Sequence, residues 1–300
     1  MPPAENPSWP SLPLEAWQDT YATLHMWTQV VGKVRMALTP PLSHFWHCTL
    51  YVTPRGLTTS TMRQGDRLAE MRFDFFEHQL IIETSGGPTK HVKLEPRTVA
   101  DFYAEVMAAL KELGFDVRIH AKPDEVANPI PFAKDTVHAS YDAEYAQRFW
   151  RILASVDSVC QEFRSGFLGK SSPVHFFWGS FDMAVTRFSG RRAPERPGAD
   201  AITREAYSHE VISGGFWPGG GNVKGPTFYA YAAPEPSGFA EQRVRPAKAF
   251  YDTGMKEFLL MYDDVRASAS PREDLRAFLE STYAAGADLG GWDRKALEKA

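Results

Sequence analysis

The chain is poor in cysteine, has no long apolar run and carries no large surplus of charge, and each shortage removes a class of function. Its 300 residues hold two cysteines, Cys48 and Cys160, which are too few and too far apart for a disulfide framework or a metal-ligand spacing. A reduced, cytoplasmic chain is the expectation. No run of about 18 apolar residues occurs, so no bilayer-spanning helix is expected. The opening MPPAENPSWP lacks the basic region and apolar stretch of a secretory signal. The net charge of −4 argues against nucleic acid and membrane as partners, because both favour basic surfaces.

Motifs of covalent and metal chemistry are missing as well. The sequence has no GxSxG, HExxH, CxxC, HxH, Asp-x-Asp or GxGxxG. The glycine-rich SGGFWPGGGNVKG contains Lys224 but not the order of a phosphate loop. No metal ligand is therefore assigned and the cofactor stays open.

What the chain has is aromatic residues: 8 Trp, 11 Tyr and 20 Phe, within an apolar content of 43% that can build a large core. Their pattern runs through the chain twice. An amphipathic helix over 14–38 precedes the β-rich strings HFWHCTLYV, LTTSTM, MRFDFF, QLIIET and KHVKL. A helix capped by Thr98 and stopped by Gly114 closes this half. A second helix, from about 140 to 163, leads into HFFWGSFDMAVTR, AYSHEVIS, PTFYAYAA and EFLLMYDD, and a last helix starts at Ser270–Pro271. SHFWHCTLYVTPR (43–55) aligns with HFFWGSFDMAVTR (175–187) without a gap, so that Arg55 is the counterpart of Arg187. The fold class is thus α+β: two pseudo-repeated helix–antiparallel sheet–helix halves packed into one compact unit. Residues 1–120 form the first half, a scaffold. Residues 121–139 are a Pro-rich crossing segment. Residues 140–300 form the second half, whose long loops mark it as the carrier of the site.

HFFWGSFDMAVTRFSGR, YSHEVISGGFWPG and WPSLPLEAWQDTYATLHMWTQVVGKVR resemble signatures of a bacterial family of unknown function, domain of unknown function 5996. The resemblance covers nearly the whole chain and implies no activity, cofactor or catalytic residue.

Counted as one strand from His175, one face carries His175, Phe177, Gly179, Phe181, Met183, Val185 and Arg187, and the other carries Trp178, Ser180, Asp182, Ala184 and Thr186. An aspartate on so apolar a strand needs a partner, either an internal base or a ligand. The pocket is expected between this strand and YSHEVISGGFWPGG. Trp178, Phe216 and Trp217 are its expected walls, and His175, Arg187 and His209 its polar anchors. The expected occupant is a small aromatic or acidic organic molecule. If the site is catalytic, His209, Glu210 and Asp182 are the acid–base candidates. Two alternatives stay open: a metal-dependent enzyme using His175, His209 and Glu210, and a non-catalytic scaffold or protein-binding module. His44 and His47 read as structural, and nothing in the sequence sets the oligomeric state.

Overall fold

Apolar helices frame a sheet in each half. In the computed structural model, which describes residues 6–299, the first half runs α1 (Leu14–Leu38), a 3-10 turn (Ser43–Phe45), β1 (Tyr51–Thr53), β2 (Gly56–Thr58), β3 (Met62–Gln64), β4 (Arg67–Asp74), β5 (Gln79–Thr84), β6 (Thr89–Lys93) and α2 (Val99–Glu112). The second half runs α3 (Ala143–Ser165), β7 (His175–Phe177), β8 (Asp182–Arg192), α4 (Ala201–Ala206), β9 (His209–Trp217), β10 (Thr227–Ala233), β11 (Phe250–Asp252), β12 (Glu257–Met261), α5 (Tyr262–Arg266), α6 (Pro271–Leu289) and α7 (Arg294–Leu297). The chain is α+β with two similar halves.

Local chemistry sets the helix ends. The Thr98 side chain accepts from the Asp101 amide to start α2, Asp142 accepts from the Tyr145 amide to start α3, and Pro271 occupies the first turn of α6. Gly114 takes φ +84° just past α2, a conformation that suits glycine. From Thr23 to Arg35 every residue of α1 except His25 is buried, so α1 is a core helix rather than a surface one. Its polar side chains are matched by the crossing segment. Gln29 exchanges two 2.8 Å hydrogen bonds with the Asp124 backbone, and Lys33 pairs with the Asp124 carboxylate. These contacts pin the segment across the molecule.

Each sheet has six strands, ordered β1-β2-β4-β5-β6 with β3 also on β4, and β11-β12-β10-β9-β8-β7. Paired strands are antiparallel. The sheets meet edge to edge, where Leu50 and Phe176 exchange amide–carbonyl bonds of 2.9 and 2.8 Å. Leu57, Met71, Phe73, Leu80 and Val92 fill the inner face of the first sheet, and Met183, Val185, Ile212, Phe216 and Phe228 that of the second. The outer faces differ: the first carries polar residues such as Arg72 and Glu83, paired at 3.4 Å, while the second is covered by loops.

Two expected strands are broken. Residues 43–45 form a tight turn in which His44 and Phe45 both take φ +59°, so strand structure in HFWHCTLYV begins only at Tyr51. Residues 178–181 reverse the chain, with Phe181 at φ +59°. The run 175–187 is therefore a hairpin rather than one strand, and His175 pairs across from Ala184. The face count stands within β8, but His175 moves to the Asp182 side. The expected strand end at Asp263–Asp264 is instead the first turn of α5, held by Lys248 and Arg266.

Candidate functional site

A cavity of about 570 Å³ lies on the outer face of the second sheet. Alternation along the strands builds its floor: Asp182, Ala184, Thr186 and Phe188 from β8, Val211 and Ser213 from β9, and Tyr229 and Tyr231 from β10. The 3-10 turn supplies His44, Phe45 and Trp46, and the hairpin turn supplies Trp178. Asp124 and Glu125 enter from the crossing segment, and Ile202 and Tyr207 from the α4 region. The first half thus contributes part of the wall.

Hydroxyl groups tie the floor together. Asp182 is 9% exposed and accepts from the Ser180 hydroxyl at 2.6 Å and from the Tyr229 hydroxyl. Thr186 and Ser213 share a 2.9 Å bond, and Tyr207 and Tyr231 a 3.0 Å bond. The Tyr229–Asp182 contact must cross β9, and Gly215 clears its way. Gly215 pairs with Tyr229 on one side and Ala184 on the other, and a Cβ there would lie 2.8 Å from the Tyr229 hydroxyl and 1.8 Å from the Met183 carbonyl oxygen.

No cation accompanies Asp182 among the described residues. Burial raises its carboxyl above the usual range, against the hydrogen bonds of Ser180 and Tyr229. Glu125 is raised by burial and then by the charge of Asp182. Glu257 lies on the same face of β12 as Leu259, the partner of Tyr229, and burial with the charges of Asp182 and Asp252 pushes it up to about 7. Three carboxyl groups are thus held against ionisation around one aromatic floor.

The other expected site residues scatter. Trp178 does line the cavity, donating from Nε1 to the Cys48 carbonyl at 2.5 Å and lying against Gly32. Arg187 points to the inner face. Its guanidinium lies 3.5 Å from the Phe163 ring centroid and 4.3 Å from that of Tyr283, and donates to the Phe163 carbonyl. Phe216 is also on the inner face, against Phe228 and Tyr262. Trp217 packs with Val223, Tyr229 and Leu259 beside the cavity. His175 is enclosed by Trp46, Tyr51 and Phe177 with neither ring nitrogen bonded, and burial lowers it to about 3.

His209 stands near His44, ring centroids 5.7 Å apart, whereas Glu210 accepts from Ser189 and Arg191 at 2.8 and 2.9 Å. The structure does not bring His175, His209 and Glu210 together, and no group of three or more metal-ligating side chains occurs among the described residues. No helix among them is long and apolar enough to cross a membrane.

A family model described as a family of unknown function, DUF5996, matches residues 9–299. The chain belongs to that family. No curated protein and no solved structure matches it. In this DUF5996 chain the cavity sets the buried Asp182 among aromatic side chains. Sequence reasoning passed over Tyr229 and Tyr231, although their spacing in PTFYAYAA places both on one face, Tyr229 opposite Gly215 and Tyr231 opposite Ser213. Glu125 and His44 carried no such signal, since tertiary contacts deliver them.

Proposed function

We propose that the cavity binds a small organic molecule with a flat, partly aromatic body and a protonated amine, the amine facing Asp182. The observation that carries this reading is a buried carboxyl group at the floor of an aromatic cavity with hydroxyl partners and no cation. An enclosed carboxylate is costly until a counter-charge arrives. A ligand amine supplies that charge, and the tyrosine and tryptophan faces suit a cation. Carboxyl groups at 125, 182 and 257 weigh against an acidic ligand at this end. An acid–base enzyme is the second reading, favoured by Glu257, which burial pushes up to about 7, beside the Asp182 carboxyl that burial also raises.

The test is calorimetric titration with benzylamine, benzyl alcohol and benzoate as probes. Benzylamine is expected to bind most tightly, and the Asp182→Asn variant to weaken it by about 10- to 100-fold, the loss of one charge-assisted hydrogen bond. Equal affinity for benzoate, or unchanged benzylamine binding in the variant, would refute the reading. Binding is expected to strengthen as pH rises through the raised pKa of Asp182, because the amine pairs with the ionised form.

A further inference from the structure

The far end of the cavity floor meets a basic rim. Along β8 the floor runs from Asp182 to Phe188, six residues or about 20 Å of extended chain. The Lys170 ammonium stands 4.8 Å from the ring centroid of Phe188 and 5.3 Å from that of Trp46. It is held there because the strand edge carries its backbone: the Phe188 amide donates to the Lys170 carbonyl at 3.0 Å.

Its polar neighbour is a histidine. Lys170 Nζ lies 2.7 Å from His44 Nε2, while His44 Nδ1 lies 3.1 Å from the Ala206 carbonyl oxygen. A carbonyl accepts only, so Nδ1 carries the proton and Nε2 offers its lone pair to the ammonium. His44 is therefore neutral and leaves the lysine charge uncancelled. His209 adjoins His44, and Arg192 is paired with His209 across the strands. Lys170 and Arg192 are both exposed at the cavity rim, and neither forms an ion pair among the described residues. Like charges also press on the imidazoles: after burial, Lys170 and His209 lower His44, and Lys170 and Arg192 lower His209.

We propose that the rim beside His44, Trp46 and Phe188, which line this end of the cavity, is an oxyanion subsite, in which the exposed Lys170 and Arg192 together with His209 bind a carboxylate or phosphate group. The inference extends the amine reading of the same cavity: the ligand becomes an elongated molecule with an amine at one end and an acid at the other. The acidic ligand expected from the sequence fits this end, far from Asp182. Trp46 and Phe188 flank the subsite and form the apolar wall between the two ends.

The test is a titration of histidine ring resonances by NMR with inorganic phosphate and with acetate, using chloride at equal ionic strength as the control. His44→Gln and His209→Gln assign the signals. Phosphate or acetate is expected to shift the His209 and His44 signals saturably, to raise the His209 midpoint and to leave the enclosed His175 unmoved. The tighter of the two identifies the acid. Lys170→Met and Arg192→Gln are each expected to weaken binding at least about fivefold. No shift with either anion, an equal shift with chloride, or an unchanged response in Lys170→Met would overturn the inference. Benzylamine binding keeps the two readings apart. If the anion titrates normally and benzylamine fails, the amine reading falls and the subsite stands. If benzylamine binds and neither anion moves His209, the subsite falls alone.

Discussion

Asp74 in the first sheet and Asp182 in the second are both buried strand aspartates, and they are treated in opposite ways. Asp74 is 3% exposed and is surrounded by donors: Arg55 Nε at 2.5 Å, and the amides of Phe76 and Glu77 at 2.9 and 3.0 Å. Burial alone would raise its carboxyl, but these donors outweigh burial and hold it below the usual range. Asp182 has two hydroxyls, no cation and a raised carboxyl. The first sheet satisfies its carboxylate internally, and its outer face is left to water. The second leaves a carboxyl with two hydroxyl donors and, among the described residues, no counter-charge under a roof of loops. A buried group in that state is what a ligand or a proton transfer requires.

Breaking the frame of the second sheet should have the largest effect. Gly215→Val drives a side chain into the Met183 carbonyl and is expected to cost more than about 4 kcal/mol, read by chemical denaturation. Exchanging the two aspartates separates stability from binding. Asp74→Asn should lose about 1–3 kcal/mol of stability and leave benzylamine binding intact, while Asp182→Asn should lose the binding and little stability.

Glu257 sharpens the contrast through pH. Its folded pKa of about 7 lies above its ordinary 4.5, so the folded chain holds a proton that the unfolded chain has released between those values. Its contribution is complete below about 4.5 and is lost as pH rises through about 7. The Glu257→Gln variant should therefore gain on the wild type by about 1–3 kcal/mol as pH rises across that window, in paired denaturation curves. The smallest effect belongs to the open face: Arg72→Gln should change stability by less than about 0.5 kcal/mol.

The helices and most strands were legible because their apolar spacing and caps carry them, as at Thr98 and Pro271. The two turns that shape the cavity were not. His44, Phe45 and Phe181 take positive φ without being glycine, and nothing in their side chains announces it. Reading through 178–181 as strand put His175 on the wrong face. Arg187 looked like an anchor because a charge on an apolar strand invites a ligand, but aromatic faces, the Phe163 carbonyl and Glu280 at 3.6 Å hold it on the inner face. The two aligned arginines have different partners: Arg55 serves Asp74 at an exposed turn, and Arg187 is buried. Asp182 and Trp178 both line the cavity, Asp182 in its floor and Trp178 in its wall.

The most direct measurement is native mass spectrometry of wild type, Asp182→Asn and Asp74→Asn, purified in the same gentle way. The account predicts an organic excess mass on wild type and on Asp74→Asn, fragmenting to an amine, and none on Asp182→Asn. The same molecule retained by Asp182→Asn, or no excess mass on any of the three, would contradict it.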